Sequence, residues 1–226
     1  MGSRMIHYGH LETELYLRFP LKDLTIRNLC DEGNTPGFRP HPGRGQGGQY
    51  AFPGAQELIS QKLKAGSGPN GHFETSDQWL TRLKTDVIIA FFGFNSSFDG
   101  AGELGRFKKE LDAFLKHTLA QKYNGKSAPR LTLVSPTAVQ AIKGVTDGVQ
   151  QNTNLILYTE AMRAVARENN VLFVDAFSPS SQWYSDGKAH TVDGALLNGL
   201  GYRKLASLLV GSLFQEENPS GNLRSA

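Results

Sequence analysis

The sequence predicts an α/β protein built as three layers, α/β/α, around a mostly parallel sheet. Three observations carry this. Residues 86–92 (DVIIAFF) are apolar at every position after the first, as a central parallel strand must be when helices cover both of its faces. Strand-like and helix-like segments alternate four times along the chain. Residues 103–123 set Leu104, Phe107, Leu111, Phe114, Leu115 and Leu119 on one helical stripe, the pattern of a helix laid on a sheet.

Residues 4–19 read as a short helix, with Ile6, Leu11, Leu15 and Phe19 on one face and Pro20 ending it. Residues 24–29 (LTIRNL) read as a strand. Residues 31–54 are too rich in Gly and Pro for regular structure, and a loop of that length in a compact domain is usually functional or mobile. Short helices are expected over 56–64 and 76–84, the second capped by Thr75 or Ser76. After the strand at 86–92 and the helix at 103–123, residues 131–134 form a buried strand stopped by Pro136. Residues 154–168 form a helix using Tyr158, Ala161, Met162 and Val165. Residues 171–177 (VLFVDAF) are the last strand, and 201–214 the last helix, with Leu205, Leu208 and Leu209 turned inward. The polar tail, 216–226, reads as frayed. Residues 1–226 are expected to form a single domain, with no internal repeat.

Composition narrows the function classes. The chain has 226 residues and a net charge of +3, from 24 Lys plus Arg against 21 Asp plus Glu. So small and dispersed an excess gives no footprint for nucleic acid. The longest strongly apolar run, 87–92, is far short of the ~20 residues of a membrane span. Cys30 is the single cysteine, which excludes an internal disulfide and a cysteine zinc cage. The first ten residues, MGSRMIHYGH, lack the apolar core of an export signal, so the chain as it stands reads as cytoplasmic by default. His10, His41 and His72 have no metal-ligand spacing, and the glycine run at 43–48 (GRGQGG) lacks the Gly-Lys-Ser/Thr ending of a phosphate loop. No cofactor or metal is expected, and the oligomeric state is left open.

In open parallel sheets, ligands sit beyond the carboxyl ends of the strands. The residues there are Cys30-Asp31-Glu32-Gly33-Asn34-Thr35, then Gly93-Phe94-Asn95-Ser96, then Ser135-Pro136. Before the terminal helix lies Asp193-Gly194-Ala195-Leu196-Leu197-Asn198, followed by Gly201-Tyr202. The Gly-x-Asn after a buried strand and the Asp-Gly-x-x-Leu-Asn-x-x-Gly-Tyr before a terminal helix resemble the SGNH hydrolase (GDSL-like esterase) family, in a divergent branch. The Asn28 to Thr35 stretch is similar to that family's second block. The resemblance runs from about residue 24 to the end.

It implies a flavodoxin-like sheet and ester chemistry with a serine nucleophile, a histidine base and an orienting aspartate. By position, Gly33 is implied as the backbone donor of the oxyanion hole, Asn95 as its amide donor, and Asp193 as the acid. The expected ligand is a small-molecule or carbohydrate ester. Two parts depart from the pattern. The base, in Asp-x-x-His, falls on Leu196, and the nearest histidine, His190, lies three residues before Asp193. The strand bearing the nucleophile falls at or before Met1, so the first strand is expected to be missing and the native start to lie upstream. LTIRNL pairing with DVIIAFF would close the resulting gap.

Each residue also has a plainer reading. Gly33 suits a turn at positive φ, Asn95 a side-chain turn cap, Asp193 a helix cap, and His190 a solvated loop. Cys30 reads as a buried, inert thiol, and Tyr50, Phe52, Trp79, Trp183 and Tyr184 as packing around the long loop. Two functions remain: an ester hydrolase, or a non-catalytic binding or accessory module of the same ancestry, which Leu196 favours.

Overall fold

The structure is a computed structural model and describes residues 1–38, 50–58 and 74–214. The glycine run at 43–48, His41, His72, the tail, and most of the helix expected over 56–64 lie outside the described residues. The chain divides into two compact units. The sheet unit holds the described residues of 31–136 and 149–177, and the terminal unit those of 1–30, 137–148 and 178–214.

In the sheet unit, β1 (Val87–Phe91), β2 (Arg130–Val134) and β3 (Leu172–Val174) are parallel, in the order β1-β2-β3. Ile88 pairs with Leu131, Ala90 with Leu133, and Leu133 in turn with Phe173. Alternation along the strands therefore puts these side chains on one face. Helices α4 (Leu104–Ala120) and α5 (Val149–Glu168) pack against each other, and their apolar stripes join that face in one core. Leu111, Leu115, Leu133 and Met162 are fully buried there. Burial of each such side chain stabilises the fold by roughly 1.5–3 kcal/mol. Phe107 meets Tyr158 at 4.9 Å between ring centres, and the Tyr158 hydroxyl donates to the Gly100 carbonyl at 3.0 Å, so its polar tip is satisfied. Among its described residues the unit also holds two short helices, α2 (Ala55–Leu58) and α3 (Ser76–Arg82). Thr75 and Gln78 close a capping box at the start of α3, which is why that helix begins where the sequence indicates.

The terminal unit contains a 3-10 turn (Gly2–His7), α1 (His10–Arg18) and α7 (Gly199–Leu213), with α1 packed on α7. Tyr8 stacks on Tyr202 at 4.7 Å, and the Tyr202 hydroxyl donates to the Met1 carbonyl at 2.8 Å. Helix α6 (Phe177–Trp183) runs into a 3-10 turn over Tyr184–Asp186.

The α/β class with a parallel sheet is as expected, and four details differ. The helix over 4–19 is broken at Gly9, whose φ of 62° no helix interior accepts. Residues 24–29 form no strand. There the Asn28 side chain donates to the Gly2 carbonyl and accepts from the Cys30 N–H, drawing local backbone groups away from a ladder. Helix α5 starts at Val149, five residues before the expected 154, through a polar first turn that apolar periodicity does not register. The last strand stops at Val174 because Ser135 Oγ accepts from the Ala176 and Phe177 N–H groups, turning the chain into α6 with Pro179 in its first turn. Among the described residues, no helix is long and apolar enough to cross a membrane.

Candidate active site

Gly33 and Asn95 meet in the sheet unit. Just after β1, Gly93 has a φ of +96°, and a Cβ there would lie 2.7 Å from the Met162 sulfur. Only glycine passes this point. The chain then enters a 3-10 turn (Ser96–Asp99), fixed by Ser97 N–H to the Gly93 carbonyl at 2.9 Å and by Ser97 Oγ between the Phe94 carbonyl and Gln151 Nε2. Asn95 stands exposed at the head of this turn, and its Nδ2 donates to the Gly33 carbonyl at 3.1 Å. A side-chain amide carries two hydrogens, so one remains for a ligand. Gly33 has a φ of +74°, and its own N–H meets no acceptor among the described residues.

The segment after Gly33 is held from below. Thr35 N–H donates to the Phe38 carbonyl at 2.9 Å, and Ala51 N–H to the Gly37 carbonyl at 2.9 Å. Glu110, on the inward stripe of α4, is only 3% exposed. Its Oε1 accepts from Thr35 Oγ1 at 2.6 Å and from Gly37 N–H at 2.9 Å. Burial pushes the Glu110 carboxyl above the ordinary carboxylate range, against the pull of these two bonds and of the Arg106 charge. Sequence reasoning missed this residue. An acid spaced three from Phe107 and four from Phe114 sits on an apolar stripe, and a buried charge needs partners; that was the available signal.

Asp193 and His190 belong to the terminal unit, where each is bonded elsewhere. Residues 190–198 form a tight antiparallel loop: Val192 N–H donates to the Leu196 carbonyl at 2.8 Å, Asn198 N–H to the His190 carbonyl at 3.0 Å, and Thr191 bridges Leu197. Gln140 Oε1 anchors it, accepting from His190 N–H, Thr191 N–H and Thr191 Oγ1 at 3.0, 3.1 and 2.9 Å. Asp193 is exposed, and its Oδ1 accepts from Leu196 N–H at 2.7 Å and Ala195 N–H at 3.0 Å, which holds its carboxyl below the ordinary range. It thus caps its own turn.

His190 corrects an expectation. It is not a solvated loop histidine but is 0% exposed. Its Nε2–H donates to Asp186 Oδ1 at 2.9 Å, and its Nδ1 is buried without a hydrogen-bond partner. The loop folds over the ring because Gly201 lets α7 close on the His190 carbonyl and Asn198 caps that helix through Leu200 and Gly201 N–H. Asp186 and Gln140 went unread in the sequence; the Asp-x-x-x-His spacing was the visible sign of the first. Cys30 is exposed where burial was expected, yet desolvation around its sulfur pushes the thiol up, which agrees with an inert thiol.

A model of the GDSL-like lipase/acylhydrolase family matches residues 37–204. No curated protein sequence matches the chain. Among solved structures, it is similar to a catalytic mutant of an acetylxylan esterase from Geobacillus stearothermophilus, at 16% identity and a TM-score of 0.57, covering 92% of this chain and 80% of that one. A mutant of an acetyl-xylooligosaccharide esterase from the same genus gives 15% identity and a TM-score of 0.59, over 94% and 81% of the two chains. An α/β hydrolase from the metagenome of Lake Arreo, Spain, gives 16% and 0.59, over 91% and 80%. At these identities the likeness is one of fold.

Proposed function

Since this chain belongs to the GDSL-like lipase/acylhydrolase, or SGNH hydrolase, family, we propose that it recognises the ester group through that family's carbonyl site, with an acetylated carbohydrate as ligand. The ester carbonyl oxygen lodges against two donors, the Gly33 N–H and the free hydrogen of the Asn95 amide. The observation that carries this reading is the 3.1 Å contact of Asn95 Nδ2 with Gly33 O, which joins the turn after β1 to a loop distant in sequence. A neutral amide and a backbone N–H suit the task. Both strengthen their bonds as the carbonyl oxygen gains negative charge, and neither brings a competing charge of its own. The carbohydrate part of the proposal draws support from structural neighbours that are esterases of acetylated xylan and xylooligosaccharides.

In this reading Asp193 is the acid of the terminal block and Leu196 stands where the base belongs. Leucine neither accepts nor relays a proton. No serine of this chain is assigned as nucleophile. His190 does not take the base's place, because its ring is enclosed and its Nε2 is bonded to Asp186. Leu196 favours the second reading, a binding or accessory module that retains the ester pocket without turnover.

Binding and turnover are measured together. Calorimetry compares acetylated with deacetylated xylobiose on the wild type and on Asn95→Ala, and p-nitrophenyl acetate reports hydrolysis. The expected result is binding that depends on the acetyl group and on Asn95, with hydrolysis no faster than in the Asn95→Ala control. Hydrolysis abolished by Asn95→Ala would establish the enzyme; equal binding of both sugars by both proteins would remove the ester site altogether.

A further inference from the structure

We propose that Glu110 is a positioning residue of the ester site, holding the segment that carries Gly33 in the shape that meets Asn95. The inference rests on the reading of Gly33 and Asn95 as carbonyl donors. Glu110 lies among Phe107, Leu111 and Phe114 on α4, where an apolar side chain would avoid the cost of burying a carboxylate. What the acid supplies instead is acceptance. Both donors to its Oε1, the Thr35 hydroxyl and the Gly37 N–H, come from within four residues of Gly33. Between them and Gly33, the Asn34 Oδ1 is buried with no hydrogen-bond partner, so that oxygen does not fasten the segment.

The same acid also borders the other half of the site. A small pocket is walled by Thr35 from the Gly33 segment, by Ser96 next to Asn95, and by Glu110, with Arg106 and Tyr158 beside them. Glu110 therefore sits where the two donor segments converge on α4. Fit is close on the backbone side as well: a Cβ at residue 37 would lie 2.8 Å from Glu110 Oε1, so Gly37 permits the approach that its N–H needs. Arg106, itself bonded to Glu103 at 2.6 Å, supplies the nearby positive charge that makes an ionised Glu110 tenable.

The experiment compares Glu110→Ala, Glu110→Gln and Thr35→Val with the wild type. It uses amide hydrogen exchange, the NMR signals of the Asn95 side-chain amide, and binding of acetylated xylobiose. In Glu110→Ala, exchange at Thr35 N–H, a group Glu110 does not touch, is expected to accelerate about tenfold. The Asn95 amide signals shift as the Gly33 contact loosens, and the acetyl ester binds about tenfold more weakly. Amides of α5 keep their wild-type exchange. Glu110→Gln retains the acceptor oxygen and restores all three readouts. Unchanged exchange at Thr35 with unmoved Asn95 signals in Glu110→Ala overturns the proposal, as does a glutamine variant as impaired as the alanine one. If Glu110→Ala does not fold, Thr35→Val removes one donor at the rim of the core. Faster exchange at Thr35 with shifted Asn95 signals then supports the proposal, and wild-type behaviour in both overturns it. A wild type that ignores acetylated xylobiose sinks the ester reading alone, and the two amide readouts still decide Glu110.

Discussion

His190 Nε2 lies 2.9 Å from Asp186 Oδ1, so the histidine nearest Asp193 in sequence is bonded to a different acid, four residues upstream. The pair is a structural clasp. It encloses the ring and ties the start of the terminal loop to the 3-10 turn after α6.

The clasp sets an acid limb to stability. Asp186 is held down to about 2 from an ordinary 3.8, chiefly by the His190 hydrogen bond. A depressed carboxyl contributes stability that is present above its unfolded pKa and lost as pH falls through the folded one. Thermal stability is therefore expected to fall as pH drops from about 4 to about 2. Asp186→Asn should flatten that decline, measured as Tm against pH; an identical slope in the variant removes Asp186 as its source.

Glu110 has the opposite sign. Its carboxyl is raised, chiefly by burial, so ionising it on the way to neutral pH costs the folded state stability. Glu110→Gln keeps the acceptor and carries no charge. Its Tm should exceed that of the wild type at pH 8, with the difference shrinking as pH falls through the raised carboxyl pKa. A Tm gap that is constant with pH would show that the Glu110 carboxyl binds its proton equally well in the folded and unfolded chains, so that burial does not raise it.

Asn95→Ala separates site from scaffold. The lost bond is solvent-exposed, so it should cost no more than about 0.5–1.5 kcal/mol in urea unfolding. Folding survives while acetyl-ester recognition is lost. A destabilisation of several kcal/mol would mean that Asn95 serves the fold first.

Gly93→Ala does both kinds of damage. The added Cβ meets the Met162 sulfur at 2.7 Å and the Pro136 ring at 3.1 Å, at a φ of +96°. Strain and crowding together should cost about 2–4 kcal/mol and displace Asn95, two residues on. Urea unfolding and ester binding are both expected to fall.

The sequence made the layered core legible because burial in α4 and α5 follows the helical period and β2 is buried at every position after its first. Leu111, Leu115, Tyr158 and Met162 sit where the stripes put them. Asn95 lies just past β1, where strand-end reasoning put it, whereas Gly33 follows no strand and reaches Asn95 through a loop contact. What escaped was decided by side-chain bonds to distant backbone. Asn28 draws residues 24–29 away from a ladder, Ser135 cuts the last strand short, and Gln140 and Asp186 pull His190 inward. Each is a polar contact with no periodicity, linking residues that are far apart along the chain or differ in kind from any repeating pattern. Glu110 was visible only as a misfit in an apolar row.

One oxygen, Gln140 Oε1, is shared by three hydrogens from His190 and Thr191. Its removal would orphan them all at once, so damage there arrives in a single step with no graded series of weaker variants. The tip of that loop, at Val192, faces water and is free to drift in composition, while its root loses its most heavily shared acceptor if Gln140 goes.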